Sequence, residues 1–153
     1  MTPKQQEQFL EYIRNDAHFC RYLDEIKILL GTGMRISEFC GLTILDLDFE
    51  RRRIHVNHQL VRTQDGKRYI EKTKTECGCR YIPMSDEVYE RFYNIFSNRK
   101  KQKKEIMIDG YAGFILLDKN GNPKVAMHVQ KAVQRLCEKY NEENIIPLPR
   151  MTP

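Results

Sequence analysis

The chain has 153 residues, 41% of them hydrophobic, which suffices for one domain with one core, and nothing in it suggests two. No apolar run approaches the roughly 18 residues of a membrane span and the first residues lack the apolar stretch of a secretory signal, so a cytoplasmic protein is expected. The net charge of +5 is uneven: residues 51–104 hold 15 basic and 6 acidic side chains, the footprint of a polyanion partner or of a solvated lysine-rich face.

Thr2-Pro3-Lys4-Gln5 opens a helix, with Thr2 as N-cap, Pro3 at the first helical position and Gln5 completing a capping box; it ends near Asn15-Asp16. A second helix carries Phe19, Tyr22, Leu23, Ile26, Leu29 and Leu30 on one stripe and stops at Gly31. Arg35 then falls at a helix-to-helix turn, at the start of a short third helix marked by Ile36, Phe39, Cys40 and Leu42. A guanidinium there is an anion site in outline, because its fork can grip two phosphate oxygens and a helix start adds backbone N–H groups. The plainer alternative is that Arg35 pairs with Glu38 one turn on while the glycines merely end a helix.

A polar connection through Asp46 and Asp48 leads into a strand over 53–63, a hairpin turn at Gln64-Asp65-Gly66-Lys67 and a return strand over about 68–75. Lys72 and Lys74, two residues apart, project from the same face near its far end. After a turn at 76–78, a third strand runs over 79–83 and is ended by Pro83. Ser85 caps a helix whose buried stripe is Val88, Phe92, Ile95 and Phe96, with Tyr89 and Tyr93 flanking it as packing residues. The basic run Arg99 to Lys104 frays or ends that helix. An apolar run at 114–117 and a loop at 118–123 precede a last helix over 127–140, and residues 145–149 are extended. These elements make an α+β fold, mostly helical, with a small three-stranded antiparallel sheet.

Five cysteines is an odd number. Cys20, Cys40 and Cys137 lie in apolar periodic segments and read as free core thiols, while Cys77-Gly78-Cys79 has no second pair at zinc-site spacing. No metal or other cofactor is expected.

The stretch Thr32-Gly33-Met34-Arg35-Ile36-Ser37-Glu38-Phe39-Cys40-Gly41-Leu42, followed by Asp46-Leu47-Asp48, resembles the first arginine box of the tyrosine site-specific recombinases. Its wording is nearest to integrases of the conjugative-transposon kind. Glu71-Lys72-Thr73-Lys74-Thr75, leading to Arg80-Tyr81-Ile82-Pro83-Met84, resembles the lysine hairpin of the same family. The resemblance covers nearly the whole chain and implies the catalytic domain of a mobile element's integrase, an enzyme that breaks and rejoins DNA through a 3′-phosphotyrosyl intermediate without metal.

Carried over by resemblance, Arg35 holds a non-bridging oxygen of the scissile phosphate, Lys74 is the general acid on the leaving oxygen, and Glu38 supports Arg35. Lys72 and Arg80 join Arg35 and Lys74 as contacts to double-stranded DNA, and the family works as a tetramer on paired DNA sites. Residues 148–153 look like the lead-in to the family's second box, after which its second arginine, histidine and tyrosine nucleophile follow. Residues 1–153 are therefore expected to be a partial catalytic domain, without the preceding core-binding domain. Such a chain is inactive alone, and either monomeric or self-associating through apolar surface. His55, His58 and Tyr140 precede that box and receive no role. Two other readings stay open: a non-catalytic DNA-binding remnant or regulator, and a protein-interaction domain with a solvated basic face.

Overall fold

The computed structural model describes residues 1–75 and 78–144. Helix α1 spans Pro3–Asn15 and starts through the reciprocal cap: Gln5 N–H donates to Thr2 Oγ1 at 3.2 Å and Thr2 N–H to Gln5 Oε1 at 2.8 Å. Beyond it, the Asp16 carboxylate accepts from the Lys139 ammonium at 2.6 Å and from the Phe19 and His18 amides at 2.8 Å. Those donors, Lys139 foremost, hold its pKa down at about 2.

A 3₁₀ turn over Phe19–Tyr22 leads into α2, Leu23–Thr32. Within α2, Ile26 of the expected stripe is buried and so is Ile28, while Leu30, expected inside, is 36% exposed. Nor does Gly31 stop the helix. The chain leaves it at Gly33, whose φ of 64° is the left-handed value of a C-cap glycine. Gly31 is instead a point of contact with the next helical layer, since a Cβ there would lie 2.7 Å from a Val88 methyl.

Helix α3 covers Ile36–Gly41, and the strands are β1 Leu47–Asp48, β2 Arg53–Val56, β3 His58–Arg62, β4 Arg68–Lys72 and β5 Arg80–Pro83. A three-stranded antiparallel sheet is present, in the order β1-β2-β5, while β3 and β4 form a separate two-stranded ribbon. The continuous strand expected over 53–63 breaks at Asn57, whose carbonyl accepts the Thr73 N–H at 3.0 Å. Side-chain alternation passes through the break unchanged, with Ile54, Val56, His58 and Leu60 all buried. Because β4 ends at Lys72, Lys74 lies in the following bend, not on the strand.

Helix α4, Asp86–Asn98, begins where Ser85 Oγ accepts the Val88 N–H at 3.2 Å, and α5 is Ala126–Glu143. Tyr89 packs edge-on against Phe49 with centroids 5.5 Å apart, while Phe96, expected inside, is 40% exposed. The basic run after α4 is not uniformly solvated. Arg99 Nε donates to the Phe114 carbonyl at 2.9 Å and its terminal nitrogens grip Glu105 at 2.8 Å each. The Phe114–Leu116 segment is buried, and the Ile115 N–H donates to the Leu42 carbonyl at 3.0 Å, tying this segment to the exit of α3.

Two apolar clusters result. One holds α2, α3, α4 and the strands together through Ile28, Phe39, Ile54, Leu60 and Phe92; the other packs α1 on the far half of α5 through Phe9, Ile13, Leu136 and Tyr140. Tyr140 meets Phe9 and Tyr12 edge-on at 5.3 and 5.0 Å. Of the thiols expected in the core, Cys40 is fully buried and pushed up to about 12 by that burial, Cys137 is half-buried, and Cys20 is exposed because the 3₁₀ turn rotates it outward. Cys77 and the segment expected to be extended at 145–149 lie outside the described residues. No helix among the described residues is long and apolar enough to cross a membrane.

Candidate functional site

Arg35 is the N-cap of α3, in an extended conformation. Its N–H donates to Glu38 Oε2 at 2.9 Å, so the first donor of the helix is taken by the chain's own carboxylate instead of being offered to a ligand. Glu38 is buried, its side chain 4% exposed, and Arg80 of β5 grips it with both terminal nitrogens, Nη1 to Oε1 at 3.1 Å and Nη2 to Oε2 at 2.9 Å. Burial pushes the Glu38 carboxyl up, but the Arg80 fork, the Arg35 amide and the charges of both arginines outweigh it, and the net direction is below the ordinary carboxylate range. The Arg35 guanidinium makes one long contact with Glu38, 3.4 Å, and 78% of its side chain faces solvent. Pairing with Glu38 and availability to an anion therefore coexist: the carboxylate orients the arginine without saturating its donors.

Beside this pair lies an open cavity of about 340 Å³. Arg35 and Glu38 line it from α3, and Lys72, Thr73 and Lys74 line it from the end of β4 and the bend beyond. Four of the five residues singled out in the sequence thus meet in one place. The fifth, Arg80, does not line the cavity and reaches it through Glu38. Lys72 and Lys74 are exposed and neither makes an ion pair among the described residues. Among the described residues no three His, Cys, Asp or Glu side chains gather as a metal site.

The profile of the Phage integrase family matches residues 1–153, the whole chain. The chain belongs to the phage integrase family. This integrase-family chain is 43% identical over 153 residues to the transposase from transposon Tn916 of Enterococcus faecalis, covering all of the chain and 38% of that relative. It matches the Tn1549 transposon integrase in complex with a circular intermediate DNA at a TM-score of 0.93 and 47% identity, covering 99% of this chain and 48% of that one. A second Tn1549 integrase structure, in complex with transposon right end DNA, matches at a TM-score of 0.91 and 48% identity, covering 97% of this chain and 47% of that one. The chain thus spans less than half the length of the relatives it matches.

Sequence reasoning missed the side chains between the two basic walls of the integrase-family cavity. His58 is 2% exposed, with Nε2 2.6 Å from the Gly41 carbonyl and Nδ1 2.5 Å from Asn57 Oδ1, and its ring lies 4.3 Å from that of Tyr111. The strand alternation Ile54, Val56, His58, Leu60 carried the signal that it points inward. Gln59 and Glu71, directly opposite each other on β3 and β4, also line the cavity; Glu71 opens the lysine-hairpin stretch, yet no local pattern gave either residue a role. What brings α3 so near is Gly41: a Cβ there would stand 2.9 Å from the Leu60 amide nitrogen and 3.2 Å from the Gln59 backbone. His55 is elsewhere, stacked on Tyr81 at 4.6 Å with Nε2 3.3 Å from Cys79 Sγ, and does not line the cavity.

Proposed function

We propose that these residues form the N-terminal part of the catalytic domain of a mobile element's tyrosine recombinase, a cytoplasmic enzyme that breaks and rejoins double-stranded DNA through a 3′-phosphotyrosyl intermediate. The observation that carries this reading is that Arg35 and Lys74, on different elements, line one open cavity. Family membership and the DNA complexes of the Tn1549 integrase support it.

The reaction exchanges one phosphodiester bond for another. A tyrosine oxygen attacks phosphorus, the P–O5′ bond breaks, and the 5′-oxygen leaves with a proton. Without a metal, the charge gathering on the non-bridging oxygens needs fixed donors, and the exposed Arg35 fork supplies them. Lys74 in its ammonium form gives the departing oxygen its proton, and Lys72 adds a backbone phosphate contact. Glu38 and Arg80 act one step back: the carboxylate fixes the Arg35 turn and Arg80 holds the carboxylate. The reaction also calls for a second arginine and a tyrosine nucleophile, which the resemblance places in later segments of the family's catalytic domain.

Single-turnover cleavage of a duplex site by the full-length recombinase tests the assignment. Lys74→Ala is expected to slow cleavage by about 10²- to 10⁴-fold while leaving DNA affinity within a few-fold. The 153-residue polypeptide is expected to bind duplex DNA and form no phosphotyrosyl product. A full-length protein that binds DNA and cleaves none, with Arg35→Ala and Lys74→Ala altering affinity alone, is instead a DNA-binding regulator.

A further inference from the structure

Between the arginine wall and the lysine wall of the cavity runs a chain of three side chains. Ser37 Oγ, on the turn of α3 that follows Arg35, donates to Gln59 Oε1 at 2.7 Å. Gln59 Nε2 in turn donates to Glu71 Oε2 at 2.5 Å. All three are partly buried, Gln59 and Glu71 line the cavity, and Glu71 immediately precedes Lys72. A primary amide is the group such a bridge needs, because it accepts at one end and donates at the other. A carboxylate would repel Glu71, and an alkyl group would leave both neighbours unpaired in a partly buried place.

We propose that Gln59 is a positioning residue of this site: its amide, held between Ser37 and Glu71, fixes the spacing between the helix that presents Arg35 and the strand end that presents Lys72 and Lys74. This role rests on the recombinase reading above. In phosphoryl transfer, Arg35 must meet a non-bridging oxygen while Lys74 meets the leaving oxygen of the same phosphate. The distance between the two walls is then part of the chemistry. Backbone packing at Gly41 sets how closely α3 approaches β3, and the Ser37–Gln59–Glu71 chain extends that control across β3 to β4.

The test is single-turnover cleavage by the full-length recombinase, with duplex affinity and melting temperature measured beside it. Gln59→Met keeps length and charge but makes neither bond, and is expected to slow cleavage roughly ten- to a hundredfold with affinity changed less than about threefold. Gln59→Glu is expected to be slower still. Gln59→Glu keeps an acceptor for Ser37 and loses the donor to Glu71; adding Glu71→Gln supplies an amide donor to the new carboxylate from the other side, and the double variant is expected to return to within a few-fold of the parent rate. A Gln59→Met rate equal to the parent's, or a double variant no faster than Gln59→Glu, overturns the inference. The swap also decides the matter if Gln59→Met does not fold. Arg35→Ala separates this outcome from the broader reading: if it leaves cleavage unchanged, the recombinase assignment of the cavity fails, whereas a slow Arg35→Ala beside an unaffected Gln59→Met removes Gln59 alone.

Discussion

Glu38 is buried between two guanidinium groups of different freedom: Arg80 spends both terminal nitrogens on it, Arg35 lends one at long range. The carboxylate binds a proton less readily folded than unfolded, so its contribution to stability is complete above the unfolded value of about 4.3 and is lost as pH falls through the lower, folded value. Glu38→Gln is accordingly expected to lower stability by about 2 kcal/mol at neutral pH, with the gap from the parent closing in acid below pH of about 4. Thermal melting across that range checks it. Arg80→Met leaves the buried carboxylate without its fork, and urea unfolding at neutral pH is expected to register a loss of about 2–3 kcal/mol. The Arg35–Glu38 pairing was legible in the sequence as a three-residue spacing. Arg80's hold on Glu38 was not, because it joins residues 42 apart and no local period reports such a contact.

At the scale of elements, three glycines around the arginine turn behave differently and their substitution separates the causes. Gly41→Ala places a methyl against backbone, which cannot rotate away; a loss of about 2–3 kcal/mol is expected. Gly33→Ala meets open space and bears only the left-handed φ, about 1 kcal/mol. Gly31→Ala strikes a Val88 methyl that a side-chain adjustment can relieve, and falls between the two. Denaturant titration of the three variants gives the order. Element starts were legible because caps are local: Thr2 with Gln5, and Ser85, announced α1 and α4. The break at Asn57 was not, since alternation continues through it and a change of sheet depends on where partner strands lie. The inward turn of Arg99 escaped for the same reason, its acceptors being the Phe114 carbonyl and Glu105.

For the molecule as a whole, the basic middle third predicts binding that weakens steeply with salt. Fluorescence anisotropy of the 153-residue chain on duplex DNA is expected to give a linear log–log salt dependence, and Lys72→Ala to reduce its slope by about one unit, the share of one phosphate contact. The division into two apolar clusters predicts unequal local stability: amides of α1 are expected to exchange with solvent before those of α3 and β3, readable by hydrogen-exchange mass spectrometry.

Among the described residues Val133 is the only hydrophobic side chain packed against both clusters. Over generations of sequence drift this gives the molecule a partial firebreak. Replacements around Phe9, Ile13 or Tyr140 can accumulate at the rear of the domain while the spacing of Arg35 and Lys74 is left alone, so long as α2 and α5, which place Ile28 and Val129 in one cluster and Ile26 and Leu136 in the other, keep their seats.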